Sequence, residues 1–283
     1  MTVTAVTALN TPTNKMTVKE FLSDEKIFEV SLLPFSKASI INSKKAERLF
    51  ENFEVKTVIF FLIPYYVKTE EKGNISRYAY ARDYHFYFKE LTERLEKEFP
   101  SVFRYACDSS PINEVEGAVK AGLGSIGKNG LLINKRYGSY VFVAEFFSKL
   151  DINDPLFNGL EQKERGQVCR GCNACKNACP MNAFLDKTKC VSFINQKKVL
   201  DKGDIEIIKS APLVWGCDIC QEACPENKKA DETEIPFFYN DLTPTLTEEK
   251  LNALIESGEF EKRAYAWRGQ KVIRRNIRLK EEV

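Results

Sequence analysis

The spacing of apolar residues predicts a mixed body of helices and strands in the first half of the chain. The nearly continuous apolar run Thr57–Pro64 is typical of a strand that is buried on both faces, and it favours an α/β body. Helical periodicity predicts an amphipathic helix over about Phe86–Phe99, with Phe88, Leu91 and Leu95 on its buried face. Shorter elements are predicted as helices at Thr17–Phe21, Lys44–Phe53, Asn113–Ala121 and Thr247–Ser257, and as strands at Ile27–Pro34 and Phe103–Cys107.

Glycine and polar clusters predict the turns and the domain boundaries. Leu131–Asn134 and Tyr140–Phe147 are predicted to be two strands that form a hairpin around Gly138. The polar segment Asn153–Arg165 contains proline and glycine and predicts a linker. Residues 1–15 are rich in Thr, have few large apolar side chains and predict a disordered tail. The predicted domains are a body over 16–152, a cysteine-rich module over 153–229 and a C-terminal helical and basic segment over 230–283.

Composition narrows the class of protein. A chain of 283 residues is long enough to bury a sizeable core, and its net charge of +2 does not by itself indicate a nucleic-acid partner. The longest largely apolar run, Val58–Val67, is far shorter than the ~20 residues that span a bilayer, so no membrane partner is expected. The first residues lack the basic head and apolar core of a signal peptide. The cysteine usage described next is typical of a reducing compartment, which predicts a cytoplasmic location.

Eight of the nine cysteines lie between Cys169 and Cys224. The segment opens with Cys-x-x-Cys-x-x-Cys-x-x-x-Cys-Pro and closes with Cys-x-x-Cys-x-x-x-Cys-Pro. A [4Fe–4S] cluster needs thiolates from several directions, and a Cys-Pro after a three-residue gap habitually ligates the other cluster. The spacing therefore predicts two clusters with crossed ligands. The first set is Cys169, Cys172, Cys175 and Cys224, and the second set is Cys179, Cys190, Cys217 and Cys220.

Zinc sites and disulfides are the alternatives for these cysteines. Zinc ribbons use paired Cys-x-x-Cys units and do not need the longer run seen here. Disulfides need an oxidising compartment, which nothing in the sequence indicates. The ninth cysteine, Cys107, is predicted to be a buried structural thiol.

A glycine-rich stretch, Gly122–Gly130, contains the pattern Gly-x-Gly-x-x-Gly. A dinucleotide site needs this pattern after a strand and at the start of a helix. Here the order is inverted, since a helix is predicted before the glycines and a strand after them, so a Rossmann site is not expected. The glycines fit either a plain turn or a close approach of the backbone to a flat, bulky ligand.

Three other features have both a functional and an ordinary structural interpretation. His85, the only histidine, excludes multi-histidine metal sites and is expected to cap or pack against a helix. Asp108 follows a predicted strand and fits either a helix N-cap or a working residue of an α/β enzyme. The basic segment Lys262–Arg278, with Tyr265 and Trp267 among its cations, fits either a surface that holds phosphates and bases or a solvated helix face.

The chain resembles epoxyqueuosine reductase, a family related to the reductive dehalogenases, over about Val18 to Asn276. The resemblance implies an α+β or α/β fold: a nitroreductase-like cobalamin-binding domain followed by a bacterial-ferredoxin-like double [4Fe–4S] module. The chain ends soon after Asn276, so the resemblance implies a short form without the C-terminal helical repeats of many members. The motifs that carry the resemblance are the two cysteine runs, Asp83-Tyr-His85, Asp108-Ser-Ser-Pro111 and Ala121-Gly-Leu-Gly-Ser-Ile-Gly-Lys128.

The resemblance also implies a reaction, the two-electron reduction of epoxyqueuosine in tRNA to queuosine. Cobalamin and the two clusters would supply the redox chemistry. Asp108 falls at the position of the family's proton donor. The residues implied to contact the cobalamin are Asp108, Gly127, Lys128, Leu132 and Asp218.

The implied partners are tRNA, for which Lys262–Arg278 is the expected surface, and an external electron donor such as flavodoxin or ferredoxin. Two other functions fit the same motifs. One is a reductase of a small epoxidised or halogenated molecule that uses the same cofactors. The other is a non-catalytic, ferredoxin-type electron-transfer protein.

Overall fold

The computed structural model describes residues 16–184 and 186–282, so the tail predicted over 1–15 lies outside the described residues. Within the described ranges, no helix is both long enough and apolar enough to cross a membrane. The helices are α1 (Val18–Asp24), α2 (Ser43–Leu49), α3 (Tyr84–Glu98), α4 (Glu114–Lys120), α5 (Ala174–Ala178), α6 (Val191–Ile194), α7 (Lys202–Ser210), α8 (Ile219–Glu222), α9 (Glu248–Glu256) and α10 (Gln270–Glu281). The strands are β1 (Val30–Pro34), β2 (Thr57–Pro64), β3 (Phe103–Cys107), β4 (Ser125–Ile126), β5 (Leu132–Ile133) and β6 (Val141–Ser148).

The body is built on a four-stranded sheet in the order β1-β2-β6-β3, and every neighbouring pair is antiparallel. β2 is buried along its whole length, as its apolar run predicts. Successive side chains of a strand point to opposite faces, so β2 feeds two cores. Phe61 packs on the side of α1 and α3, whereas Phe60 packs on the side of α4. The mixed α/β character is as expected, but the antiparallel pairing gives an α+β layer arrangement and not a parallel sheet.

The hairpin predicted around Gly138 does not form. β5 pairs with β4, with Ser125 opposite Ile133, and the two make a separate small sheet. β6 lies between β2 and β3 in the main sheet. The turn signal at Gly138 is real, since Asn134 and Gly138 form an isolated bridge. A local turn cannot fix the partner of β6, however. That strand carries apolar side chains on both faces, and both faces are buried only when it lies in the middle of the sheet.

Side-chain caps set several helix starts. Thr17 and Glu20 form a capping box at the start of α1. α3 begins at Tyr84, before the predicted start at Phe86, because the Asp83 carboxylate accepts the backbone N–H of His85. His85 is therefore not the cap, and its side chain is 54% exposed.

The C-terminal segment is tied into a third core and into the cysteine-rich module. Trp215 and Tyr265 pack edge to face within this core. The Asn276 side chain of α10 is fully buried and donates to the backbone oxygens of Asn195 and Val214, at 2.7 and 2.9 Å. Both acceptors lie in the cysteine-rich module, so α10 holds the backbone that leads to Cys217.

Asn276→Ala should lower the free energy of unfolding by about 2–3 kcal/mol, because it leaves two buried carbonyl groups without a hydrogen-bond donor. Urea unfolding of the anaerobic, cluster-loaded protein, followed by circular dichroism, measures the change. Asn153→Ala, at an exposed residue after β6 that makes no side-chain hydrogen bond among the described residues, is the control and should change stability little. Equal effects of the two substitutions would contradict this role for Asn276.

Candidate functional site

The first cysteine set, Cys169, Cys172, Cys175 and Cys224, lines one cavity of about 210 Å³. Cys175 lies in α5, and Cys224 follows α8, which packs against α5. The packing of these two short helices brings the distant fourth thiol to the other three. Cys172 is exposed, so the cavity reaches the surface of the molecule.

The second set, Cys179, Cys190, Cys217 and Cys220, lines a larger cavity of about 620 Å³. Cys179 follows α5, Cys190 precedes α6, and Cys217 and Cys220 lie at the start of α8. The structure therefore brings together the same two groups of four that the crossed spacing predicts. Lys128 and Asn129 line both cavities, which makes the cavities neighbours.

The chemistry of the two cavities suits an iron–sulfur cluster that displaces thiol protons. Burial raises the pKa of Cys217 to about 12 and that of Cys220 to about 11, so these thiols stay protonated without metal. Bound iron deprotonates a thiol and releases its proton. Within 16–184 and 186–282, no three His, Cys, Asp or Glu side chains converge as they do around one metal ion.

The glycine-rich stretch forms the β4–β5 hairpin and holds the first cysteine loop. The Ser125 hydroxyl accepts the backbone N–H groups of Val168 and Cys169, at 2.9 and 3.1 Å. The Lys128 ammonium donates to the Gly171 oxygen at 2.9 Å and to Asn173 Oδ1 at 2.8 Å. A plain turn would not make these contacts, so the stretch connects the body to the cysteine module.

Asp108 follows β3 with a left-handed backbone, φ +59°, and its side chain reaches solvent. Asn113, not Asp108, caps α4. The protein surrounding the Asp108 carboxyl removes part of its hydration and raises its pKa, and the negative charge of Asp83 raises it further. A carboxyl group with this shift holds its proton more tightly than a free aspartate and is better suited to act as an acid.

Asp83 and His85 lie at the start of α3 and belong to the surroundings of Asp108. The His85 Nδ1 atom lies 2.7 Å from Asp83 Oδ1. The His85 ring also lies against Tyr84, with the ring centroids 4.3 Å apart. An exposed groove of about 430 Å³ is lined by Asp83, His85, Phe86 and Trp267, among other residues.

The other residues implied to contact cobalamin occupy different environments. Gly127 and Lys128 lie in the β4–β5 hairpin next to the second cavity, where the neighbouring Leu131 is partly exposed. Leu132 is buried in the core beside α4, so only its backbone can face a ligand. The buried Asp218 carboxylate accepts the Arg77 backbone N–H at 2.6 Å and the Ser76 hydroxyl. Burial raises the pKa of Asp218 to about 6.

Most cations of the basic segment Lys262–Arg278 are used within the protein. Arg263 is buried and donates to the backbone oxygens of Tyr80 and Asp241. Ion pairs or carbonyl groups also engage Lys262, Arg274, Arg275 and Arg278. Of the cations in this segment, Arg268 and Lys271 have no ion-pair partner among the described residues. The Arg268 guanidinium lies over the exposed Trp267 ring, 3.8 Å from its centroid.

Sequence reasoning missed two carboxyl groups near Asp108, those of Glu114 and Glu145. Glu145 is fully buried in β6, and its two carboxyl oxygens have no hydrogen-bond partner among the described residues. The available signal was a glutamate in the middle of the apolar strand Tyr140–Phe147, since a buried strand rarely carries an unpaired carboxyl. Glu114 lies in the first turn of α4.

Two family models match the chain. Residues 47–109 match "Epoxyqueuosine reductase QueG, DUF1730", and residues 168–227 match "4Fe-4S double cluster binding domain". The second match covers all eight clustered cysteines, so this part of the chain is a double iron–sulfur cluster module.

Curated relatives point to the same family. The epoxyqueuosine reductase of Lactococcus garvieae is 34% identical over 250 residues, which cover 79% of this chain and 68% of that protein. The Pseudomonas aeruginosa enzyme is 39% identical over 136 residues, which cover 44% of this chain and 36% of that protein. The Leadbetterella byssophila enzyme is 36% identical over 153 residues. The chain spans about half or less of the length of the last two relatives, at 36% and 48%.

Solved structures share the fold. The structure of epoxyqueuosine reductase from Streptococcus thermophilus superposes with a TM-score of 0.70 at 24% identity, and covers 93% of this chain and 79% of that one. A crystal structure of epoxyqueuosine reductase with an epoxyqueuosine-modified tRNA stem loop superposes with a TM-score of 0.69, also at 24% identity, over 93% of this chain and 80% of that one. The long match to the Lactococcus protein and the shared fold lead to one conclusion: the chain belongs to the epoxyqueuosine reductase family.

Proposed function

We propose that this chain is an iron–sulfur- and cobalamin-dependent reductase that converts epoxyqueuosine in tRNA to queuosine. The observation that carries the proposal is the pair of adjoining four-cysteine cavities beside a body with an acidic group, Asp108, at its sheet end. Membership of the family and the relative bound to a tRNA stem loop support the substrate. An external donor of the flavodoxin or ferredoxin type would supply the electrons.

The proposed ligands follow the two cavities. Cys169, Cys172, Cys175 and Cys224 would hold one [4Fe–4S] cluster, and Cys179, Cys190, Cys217 and Cys220 the other. Lys128 and Asn129 line both cavities, which supports a short separation between the clusters. A short separation suits electron transfer from one cluster to the next.

The residues beside the second cavity fit a flat, partly apolar cofactor such as cobalamin. Leu131 exposes apolar surface there, and a side chain at Gly130 would meet only open space. Gly127, Lys128 and the backbone of Leu132 would line the cofactor, and Asp218 would support it through the Ser76–Arg77 backbone. Cobalamin, when bound, supplies reducing cobalt chemistry that no side chain can provide.

We assign the domains as predicted: a nitroreductase-like body over 16–152, the ferredoxin-like module over 153–229 and the C-terminal segment over 230–283. The helices on both faces of the antiparallel sheet support the first assignment. The body would orient the substrate toward Asp108, which would donate a proton to the departing epoxide oxygen.

The proposed tRNA surface is smaller than the basic segment from which it was predicted. Trp267 and Phe86 expose aromatic rings for base stacking, and Arg268 and Lys271 carry charge that is free to meet phosphates. A groove of about 630 Å³ lined by Lys198, Arg268 and Lys271 among other residues adjoins this surface.

The first experiment is anaerobic reconstitution with iron, sulfide and cobalamin, followed by incubation with an epoxyqueuosine-containing stem loop and a chemical reductant. About eight irons and one cobalt per chain, together with queuosine in the digested RNA, support the proposal. Full iron content without retained cobalt would favour an electron-transfer protein. Iron and cobalt without queuosine would favour a small-molecule substrate.

Cys224→Ser should remove the cluster of the first set and keep the other, because Cys224 belongs to the first cavity although it lies beside the second motif in sequence. Iron content should fall from about eight to about four, with the change followed by electron paramagnetic resonance. Cys107→Ala should keep both clusters. Selective loss of the second cluster in the Cys224 variant would refute the crossed assignment.

Asp108→Asn should keep both clusters and the cobalamin but lower turnover about 10²–10⁴-fold, the usual contribution of a positioned acid. Single-turnover assays with loaded enzyme measure this effect. Asp151→Asn, an exposed site after β6, is the control. Wild-type turnover by the Asp108 variant would exclude the acid role.

Trp267→Ala and Lys271→Ala should each weaken binding of the stem loop, and Trp267→Ala should do so by about 5- to 100-fold if a base stacks on the ring. Fluorescence anisotropy with labelled RNA at several salt concentrations measures the affinity and the phosphate contribution. Lys97→Ala, at the opposite end of α3 from His85, is the control. If Trp267→Ala and Lys271→Ala both bind like the wild type, this surface does not hold the RNA.

A further inference from the structure

Three carboxyl groups meet where β3, β6 and α4 approach one another. Asp108 follows β3, Glu145 lies in β6, and Glu114 lies in the first turn of α4. Glu145 is opposite Ala106 in the sheet register, and the Ala106 side of the sheet is covered by α4. Asp108 comes two residues after Ala106, so the end of β3 brings it near enough to Glu145 for its charge to act on that carboxyl.

Glu145 is a buried acid that no close hydrogen bond satisfies, although the Ser110 hydroxyl lies near enough to favour its charged form. Its side chain is fully buried, and neither carboxyl oxygen has a hydrogen-bond partner in the described part of the chain. A charged carboxylate in such a site is strongly unfavourable, so the group remains protonated. Burial, then the negative charge of Glu114, raise the pKa of Glu145 well above its usual value, and Ser110 and Lys45 oppose the shift only in part.

Glu114 links the buried acid to Asp108. Burial, then the charge of Asp108, raise the pKa of Glu114 to about 7. The backbone N–H of Asp108 and the Lys45 ammonium favour its charged form. One oxygen of Glu114 has no hydrogen-bond partner among the described residues. Glu114 thus gains and loses its proton near neutral pH. It lies between Glu145, which keeps its proton, and Asp108, which is partly in solvent.

We propose that Glu114 is a positioning residue that stores a proton for Asp108, beside a buried Glu145 that keeps its own proton. The proposal rests on the proposed function, in which each epoxide takes up two electrons and two protons and loses its oxygen as water. The electrons come from the external donor through the clusters.

The proton steps balance as exchanges between carboxyl groups. The O–H bond of Glu114 breaks as the Asp108 carboxylate gains the proton, and Asp108 then gives this proton to the substrate oxygen. Glu114, which is partly exposed, regains its proton from solvent between turnovers, and Glu145 keeps its own proton throughout. The second proton of the reduction joins the released oxygen from solvent as water forms. The store is useful because bound tRNA and cofactor would cover Asp108 and cut off its direct exchange with water.

The other titratable groups around Glu114 and Glu145 cannot take over the role of these two carboxyl groups. Lys45 of α2 bonds to the Ser109 hydroxyl and stabilises negative charge on both glutamates. Asp83 of α3 acts on Asp108. Burial, then the charge of Glu114, raises the pKa of the Cys107 thiol, so that thiol stays neutral.

Infrared difference spectroscopy of the cluster-loaded protein without substrate tests the store directly. The wild type should show a protonated-carboxyl band that disappears as pH rises through about 7, the pKa of Glu114, and a second band that persists above it. Glu114→Gln should remove the first band, and Glu145→Gln the second. Glu116→Gln is the matched control on α4. Lys120 pairs with Glu116 at 2.6 Å and lowers its pKa, so its loss should remove neither band.

Turnover then tests the link to Asp108. Wild-type kcat should fall as pH rises through about 7, because Glu114 is deprotonated above its pKa and then has no proton to supply. Glu114→Gln should lower kcat at least about tenfold below that pH, remove this limb and leave KM unchanged. Wild-type kcat and the same limb in both glutamine variants would overturn the proposal.

The two readouts separate failure of this inference from failure of the proposed function. A wild type that reduces no epoxyqueuosine but shows both bands refutes the substrate and supports the store. Absence of both bands overturns the store whatever the enzyme reduces. If Glu145→Gln does not fold, the wild-type spectrum and the Glu114 variant decide between these outcomes.

Discussion

The rest of the structure depends on one constraint: thiols from distant positions in the chain must converge on two cavities. Three cysteines of one set lie within a short loop, but the fourth, Cys224, lies far along the chain. Packing of α5 on α8 closes that distance. Because each motif contributes a cysteine to the other cavity, the two halves of the module cannot separate without opening both sites. Iron binding and folding of this module are therefore coupled.

Polar contacts, in addition to apolar packing, fix the cysteine module to the rest of the protein. Ser125 and Lys128 of the β4–β5 hairpin hold the first cysteine loop, and Asp218 is held by Ser76 and Arg77. α10 adds a third attachment through Asn276. Such directional bonds fix distances more closely than apolar packing does, and electron transfer between a cluster and a cofactor depends on distance. The glycine-rich stretch is thus better understood as a connector than as a nucleotide loop.

The basic C-terminal segment shows how tertiary structure changes the meaning of a charge pattern. In the sequence its cations are equivalent, yet Arg263 is buried and Arg274 faces Glu248. Only the partners contributed by other elements distinguish a structural arginine from one whose charge is free at the surface. The same holds for Glu145, whose carboxyl is unusual only because no other element supplies a close hydrogen bond to it.

Local chemistry explains what the sequence by itself determined. Metal coordination constrains residue type and spacing directly, so the two sets of four cysteines follow from the chain alone, and so do the capping box at Thr17 and the two-faced burial of β2. The partner of β6, the buried side chain of Leu132 and the meeting of Asp108 with Glu114 and Glu145 were decided only by the tertiary structure. Each of these depends on which distant segments pack together, and that choice follows from burying the apolar surface of the whole chain, which no local pattern encodes.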